Sequence, residues 1–259
     1  MNAQKKYHYF VSDLHLGAPN AKQSRERELA FVAWLDHIQN SAEAIYLLGD
    51  IFDFWFEYKT VIPKGYTRLF GKLAALTDQG IELHFFKGNH DMWVKDYFEQ
   101  ELAMTIHSHH LSLKIDNKLL YLHHGDGLGP GDYKSKLIKF IFRSPLCQWM
   151  FARLHPNFGI GLASLLSLRS RAKGGKKDAV YNGPNHEWLY EYAQTKHEQD
   201  PHDYFIFGHR HLPLFLPSEQ TTYINLGDWL QYQTFGRFDG QSVELLQWHQ
   251  NEVRTYNGN

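Results

Sequence analysis

Apolar and polar positions fall in blocks along this chain, and the period of the blocks changes. Short β-rich runs stand at 7–12 (YHYFVS), 44–48 (AIYLL), 82–86 (ELHFF), 118–122 (KLLYL) and 203–207 (DYFIF). Among the early runs, stretches 24–39 and 66–79 repeat their apolar residues at steps of three and four, the spacing of one helix face. The later runs at 111–122, 222–226 and 243–248 follow one another with few helical interruptions. The pattern predicts an α/β architecture in which two sheets pack face to face with helices outside. No internal repeat is visible.

Each of the five strand-like runs ends in polar residues placed beside a glycine: DLHLG (13–17), GDIFDFW (49–55), KGNHD (87–91), HHGD (123–126) and GHRH (208–211). In open α/β sheets, ligands bind beyond the carboxyl ends of the strands. Asp13 and His15 are two apart, so in an extended segment both leave the same face, and His209 and His211 repeat that arrangement. Gly49 and Gly88 let the backbone turn just before Asp50 and Asn89. Together Asp13, His15, Asp50, Asn89, His124, His209 and His211 offer carboxylate, imidazole and amide oxygen, with no thiolate, which argues against structural zinc. Mixed oxygen and nitrogen donors suit Mn2+, Fe2+, Zn2+ or Co2+, with Mn2+ or Zn2+ favoured. Seven donors are too many for one open site. They match two metals sharing a carboxylate, roughly 3.5–4 Å apart, able to clamp a phosphate oxygen for in-line attack.

The blocks D-x-H, G-D, G-N-H-D, H and G-H-x-H, in that order over residues 13–211, make the sequence resemble the calcineurin-type metallophosphoesterase superfamily. The resemblance implies a four-layer αββα sandwich. It assigns Asp13, His15 and His211 to one metal and Asn89, His124 and His209 to the other, with Asp50 bridging. His124 is taken rather than His123 because the family ligand directly precedes the glycine. It also implies that His90 contacts the phosphate and protonates the leaving oxygen, with Asp91 orienting the imidazole. LGDIFDFWFEY (48–58) and HHGDGLGPGDYKSK (123–136) further resemble one branch, the UDP-2,3-diacylglucosamine diphosphatases of lipid A biosynthesis. One departure stands out: best-known members of that branch carry Arg where this chain has His90.

Composition changes the picture at several points. Lys and Arg number 27 against 28 Asp and Glu, so total charge gives no sign of a nucleic-acid partner. The 17 histidines favour metal, and a single cysteine, Cys147, excludes an intrachain disulfide and fits a reducing compartment. No signal segment opens the chain and no apolar run approaches the ~20 residues of a membrane span, so a cytoplasmic location is expected. The neutral total hides an asymmetry, because residues 133–177 contain ten Lys and Arg and no Asp or Glu. LIKFIF (137–142), LCQWMF (146–151) and GIGLASLLSL (159–168) lie among those cations.

That stretch predicts a helical, basic and apolar cap over 133–199, inserted into a core made of 1–132 and 200–259. Such a surface suits acyl chains, a diphosphate, or the edge of an anionic inner-membrane leaflet. The alternative for most single residues is that apolar side chains pack the cap down while the cations are solvated. SLRSRAKGGKK (167–177) resembles the segment that contacts nucleotide and diphosphate in the diphosphatases, which makes Arg169, Arg171, Lys173, Lys176 and Lys177 candidate substrate contacts beside Asn89 and His90.

Other residues weigh less. His107, His109 and His110 lack a matched carboxylate and are expected in a surface turn or strand. His8 and His84 are expected as packed histidines, and Cys147 as a buried small hydrophobe. Asp53 and Asp126 are expected to support the metal ligands, and Asn225 and Asp228 are side candidates for substrate contact. The leading reading is a peripheral inner-membrane enzyme that uses two Mn2+-like ions, with Zn2+ or Fe2+ as alternatives. It would hydrolyse UDP-2,3-diacylglucosamine to UMP and 2,3-diacylglucosamine 1-phosphate without an obligate protein partner. The rivals are a metallophosphoesterase for another phosphodiester, phosphomonoester or nucleotide, and a metal-bound scaffold without catalysis.

Overall fold

In the computed structural model, residues 6–129, 133–174, 180–256 and 258 are described, apart from the side chains at 133–135, 137–138 and 168–174. The alternating β-helix pattern of the first half becomes β1 (Tyr7–Val11), α1 (Ala21–Ile38), β2 (Ala42–Leu47), α2 (Thr67–Asp78), β3 (Glu82–Phe86), α3 (Tyr97–Leu102) and β4 (Thr105–His107). The four strands pair in parallel, and an antiparallel meander of β10 (Thr234–Phe238), β11 (Val243–His249) and β12 (Glu252–Thr255) extends them. The second sheet holds β5 (Leu111–Ile115), β6 (Lys118–His123), β7 (Tyr204–Phe207), β8 (Pro213–Pro217) and β9 (Thr222–Leu226). Among the described residues the sheet orders are β12-β11-β10-β1-β2-β3-β4 and β5-β6-β7-β9-β8.

Period-two alternation sorts the side chains into layers. Phe10, Tyr46 and Phe86 of the first sheet meet Leu120, Leu122 and Ile206 of the second in one buried cluster. Their neighbours Tyr9, Val11 and Phe85 face outward, against Phe31 and Trp34 of α1 and Leu69 and Leu73 of α2. On the far side, Tyr121, Phe205, Phe207 and Tyr223 pack on Leu189 and Ala193 of α7 (Trp188–Gln199). Each large apolar side chain so buried contributes roughly 1.5–3 kcal/mol relative to exposure. The result is the expected αββα sandwich.

Helix α7 corrects the expected extent of the cap. It lies inside 133–199, yet Leu189 and Ala193 are wholly buried against the second sheet, so it forms the fourth layer. The protruding part comprises α4 (Tyr133–Arg143), α5 (Pro145–Phe151) and α6 (Pro156–Gly174). Its inner side docks through Phe151, whose ring lies 4.6 Å from Phe56 and 4.8 Å from Trp93, centroid to centroid. The Trp93 indole N–H also donates to the Phe142 carbonyl at 2.7 Å. Its outer side leaves Phe140 78%, Leu146 65% and Phe158 62% exposed. Cys147, expected to be buried, is only half-buried, because the short helix α5 has no buried residue. Among the described residues no helix is long and apolar enough to cross a membrane.

Candidate metal centre

The loops after the strands are stitched to one another by backbone hydrogen bonds. Asp13 N–H donates to Gly49 O at 3.1 Å, His15 N–H to Asp50 O at 2.9 Å, and Gly208 N–H to His124 O at 2.9 Å. From α1, the buried Arg27 guanidinium donates to the carbonyls of His15 at 2.8 Å and Ala18 at 2.5 Å. These bonds hold conformations that side-chain-bearing residues rarely adopt. Asp13, His15, Asp50, His209 and His211 have φ of 54°, 45°, 53°, 67° and 60°. Such positions cost of order 1–3 kcal/mol each and cluster at functional sites. Gly88 allows the closest approach, since a Cβ there would collide with Asp50 Oδ1 and would come within 2.5 Å of Asp50 N.

The seven candidate donors converge around Asp50. Its Oδ2 lies 3.3 Å from His124 Nε2 and 3.8 Å from His15 Nε2. On one side, Asp13 Oδ1 is 3.7 Å from His15 Nε2 and 3.3 Å from His211 Nε2. On the other, Asp50, His124 and His209 group together, with Asn89 Oδ1 3.3 Å from His124 Nε2. Within the groups Asp13–His15–Asp50–His211 and Asp50–His124–His209, one ligand atom per residue falls within 4.8 Å of every other.

Outer contacts aim these candidate donors. His124 Nδ1 donates to Leu48 O at 2.7 Å, which leaves Nε2 as its free donor atom. His211 Nδ1 faces Asp228 Oδ2 at 3.4 Å and His15 Nδ1 faces Asp53 Oδ1 at 3.6 Å, the carboxylate–histidine arrangement typical of metal sites. Asp13 Oδ1 is buried without a hydrogen-bond partner, an expensive situation for a carboxylate unless a cation satisfies it. The donors therefore fit two divalent cations sharing Asp50.

Charge balance points the same way. Burial pushes the Asp13 carboxyl up, but the imidazoles of His211 and His15 beside it outweigh that and hold the group at about 2. Burial lowers His15, yet the Asp13 and Asp53 carboxylates beside it raise it to about 9. Burial likewise lowers His124, while Asp50 raises it to about 10. The carboxylates demand positive charge, which protons on imidazole or bound cations can supply.

His90 stands beside this cluster, its ring edge-on to His15 at 4.8 Å. Its Nδ1–H donates to the Asp53 carbonyl at 2.8 Å, and Ser167 Oγ of α6 lies 3.1 Å from the same nitrogen. Here the expected role of Asp91 needs correction. Its buried carboxylate accepts the backbone N–H groups of Gly88 and Ile51, both at 2.8 Å, and of Asp50 at 3.2 Å and Phe52 at 3.4 Å. Asp91 braces two strand ends, and Asp53 orients His90. Burial and the Asp50 charge raise the Asp91 carboxyl to about 7, while its N–H donors pull the other way and favour the ionised form.

The remaining candidates are placed as follows. Asp126 accepts Lys139 Nζ of α4 at 2.6 Å. Asn225 donates to Gly208 O at 2.6 Å, so it supports the last ligand loop. Asp228, a side candidate for substrate contact, faces His211 instead. His107 joins His84 at 3.1 Å, and neither falls in a ligand group. Arg169, Arg171 and Lys173 lie on α6 with side chains outside the description, and Lys176 and Lys177 lie outside the described residues. Sequence reasoning missed the work of Asp228 and Ser167. INLGD (224–228) does carry the strand–glycine–aspartate signal of the other blocks, whereas nothing local marks Ser167.

No family model matches the chain. A UDP-2,3-diacylglucosamine hydrolase of Porphyromonas gingivalis is 39% identical over 255 residues, covering 92% of this chain and 95% of the relative. A UDP-2,3-diacylglucosamine hydrolase of Haemophilus influenzae is 26% identical over 227 residues, 86% of this chain and 91% of that one. Among solved structures, the zinc complex of Vps29 from Entamoeba histolytica aligns over 96% of this chain and 97% of its own, with a TM-score of 0.48 and 12% identity. That structural likeness is too loose to bear on function.

Proposed function

The chain belongs to the UDP-2,3-diacylglucosamine hydrolase family, and from that membership we propose that it hydrolyses the diphosphate of UDP-2,3-diacylglucosamine. Water adds across one P–O bond of the diphosphate, at the α-phosphorus, giving UMP and 2,3-diacylglucosamine 1-phosphate. The observation that carries the reading is the pair of donor groups sharing Asp50. Two divalent cations held there, Mn2+ first among them, would supply Lewis acidity and a nucleophile at neutral pH.

The chain's own residues account for the rest. Asp13, His15 and His211 would hold one cation, Asn89, His124 and His209 the other, and Asp50 both. Because Asp53 accepts the His90 Nδ1 proton and burial lowers the pKa of the ring, Nε2 carries a lone pair; it would take up a proton from solvent or the attacking water and then give it to the leaving oxygen. The exposed Phe140, Leu146 and Phe158, interleaved with Lys136, Arg143 and Arg153, suit acyl chains and an anionic leaflet, so the enzyme works peripherally at the cytoplasmic face of the inner membrane. Arg169, Arg171, Lys173, Lys176 and Lys177 would meet the nucleotide and diphosphate.

His90, where best-known relatives carry Arg, favours a second reading in which the substrate is another phosphodiester. Assay of the purified protein with Mn2+ against the lipid nucleotide and a chromogenic diester separates the two. Turnover of the lipid nucleotide is expected; turnover of the diester alone supports the second reading, and no turnover of either leaves a scaffold.

A further inference from the structure

Arg210 occupies the single position between His209 of one donor group and His211 of the other. Its side chain turns away from the metal donors into the protein, where it is 5% exposed and meets Glu187, 2% exposed. Arg210 Nε donates to Glu187 Oε2 at 3.1 Å, and Nη2 donates to the Val180 carbonyl at 3.0 Å. The guanidinium lies 5.5 Å from the centroid of the Trp188 ring. Tyr223 Oη donates to the other Glu187 oxygen at 3.4 Å. Glu187 immediately precedes α7, so the ion pair ties the last ligand loop to the start of the fourth layer and to the chain returning from the cap.

A buried ion pair is weak evidence of stability, because desolvation offsets much of its attraction. Packing of α7 on the second sheet is already provided by Leu189 and Ala193. What the pair does reach is a turn whose two ends, His209 and His211, both sit at positive φ. Such a turn keeps one shape only if something rigid holds it.

We propose that Glu187 and Arg210 are positioning residues that set the spacing between the two metal half-sites. With Arg210 anchored, His209 and His211 present their imidazoles to separate cations around the shared Asp50. Without the anchor the turn relaxes, and whichever cation binds second meets a ligand set no longer at the right distance. The inference rests on the two-metal reading above and deepens it.

The test is Glu187→Gln, which keeps the shape and removes the charge. Metal-free protein is titrated with Mn2+ by calorimetry, and the spin coupling of the loaded protein is read by electron paramagnetic resonance. Wild type is expected to take two ions. E187Q is expected to bind the first with unchanged affinity and the second about tenfold more weakly, the usual effect of losing an outer contact, with a weaker coupled signal at matched Mn2+. Turnover then recovers at saturating Mn2+. Two binding steps identical to wild type would overturn the proposal even if the melting temperature drops, since that outcome marks a purely structural pair. Should E187Q fail to fold, Tyr223→Phe removes one hydrogen bond to the same carboxylate and is expected to weaken the same step by less. An unshifted second step in Y223F then overturns it. Wild type that binds no pair of ions sinks the two-metal reading itself, a result distinct from either.

Discussion

Asp53 holds His90 by its backbone: the carbonyl accepts the Nδ1 proton at 2.8 Å, while the carboxylate of the same residue lies 3.7 Å from that nitrogen. The carboxylate also faces His15 Nδ1 at 3.6 Å, so one residue braces both a candidate metal ligand and His90, the candidate for proton transfer. Asp53→Asn keeps the carbonyl and removes the charge. Turnover is expected to fall about 10–100-fold, as for other outer contacts of metal sites, with KM little changed in steady-state kinetics.

Asp91→Ala is expected to behave differently. It strips an acceptor from backbone N–H groups at two strand ends, at a cost of about 1–3 kcal/mol or more in urea unfolding. Activity per folded molecule should fall less than in D53N. Loss of turnover at unchanged stability would return Asp91 to the role of orienting His90.

His90→Ala tests the proton transfer separately from the metals. A drop in turnover of roughly 10²–10⁴-fold is expected, with Mn2+ stoichiometry by elemental analysis unchanged. Loss of metal with the imidazole would make His90 a ligand.

Proton linkage gives a pH prediction with a definite sign. In the metal-free protein His15 and His124 are raised to about 9 and about 10, so both carry protons at neutral pH. Divalent ions must displace them, so affinity should rise with pH up to the range of those values. Calorimetry in two buffers of different ionisation enthalpy will show proton release. For stability the sign reverses. A raised folded pKa stabilises below the unfolded value near 6.5 and the gain is lost through about 9 to 10, so metal-free protein should soften in alkali.

The opposite case lies at the edge of the first sheet. Burial, and then the charge of His84, hold His107 down at about 4. A depressed imidazole leaves the unfolded chain binding more protons, so its stabilisation is whole above about 6.5 and shrinks as pH falls toward 4. The urea midpoint should drop between pH 7 and pH 5, and His107→Gln should flatten that drop.

Much of the site was legible before folding because each ligand block is local. A strand, a glycine and a donor within a few residues mark a loop at a strand end, so Asp13, His15, Asp50, Asn89, His124, His209 and His211 could be named as candidates from short words. The layers were legible for a similar reason, since the alternation of Leu120, Tyr121 and Leu122 already sends neighbours to opposite faces. Contacts between distant segments were not. Whether the carboxylate of Asp91 turns to His90 beside it or to backbone groups some 40 positions away depends on where the loops of β2 and β3 end up. Nor does composition separate α7 from the cap, because its role follows from Leu189 and Ala193 finding the second sheet. Local sequence determined which groups are offered, whereas their direction comes from positive-φ turns at Asp13, His15, Asp50, His209 and His211 that distant backbone groups and Arg27 hold, not from the extended segment expected there. Long-range packing, which no short window encodes, decided what each of them meets.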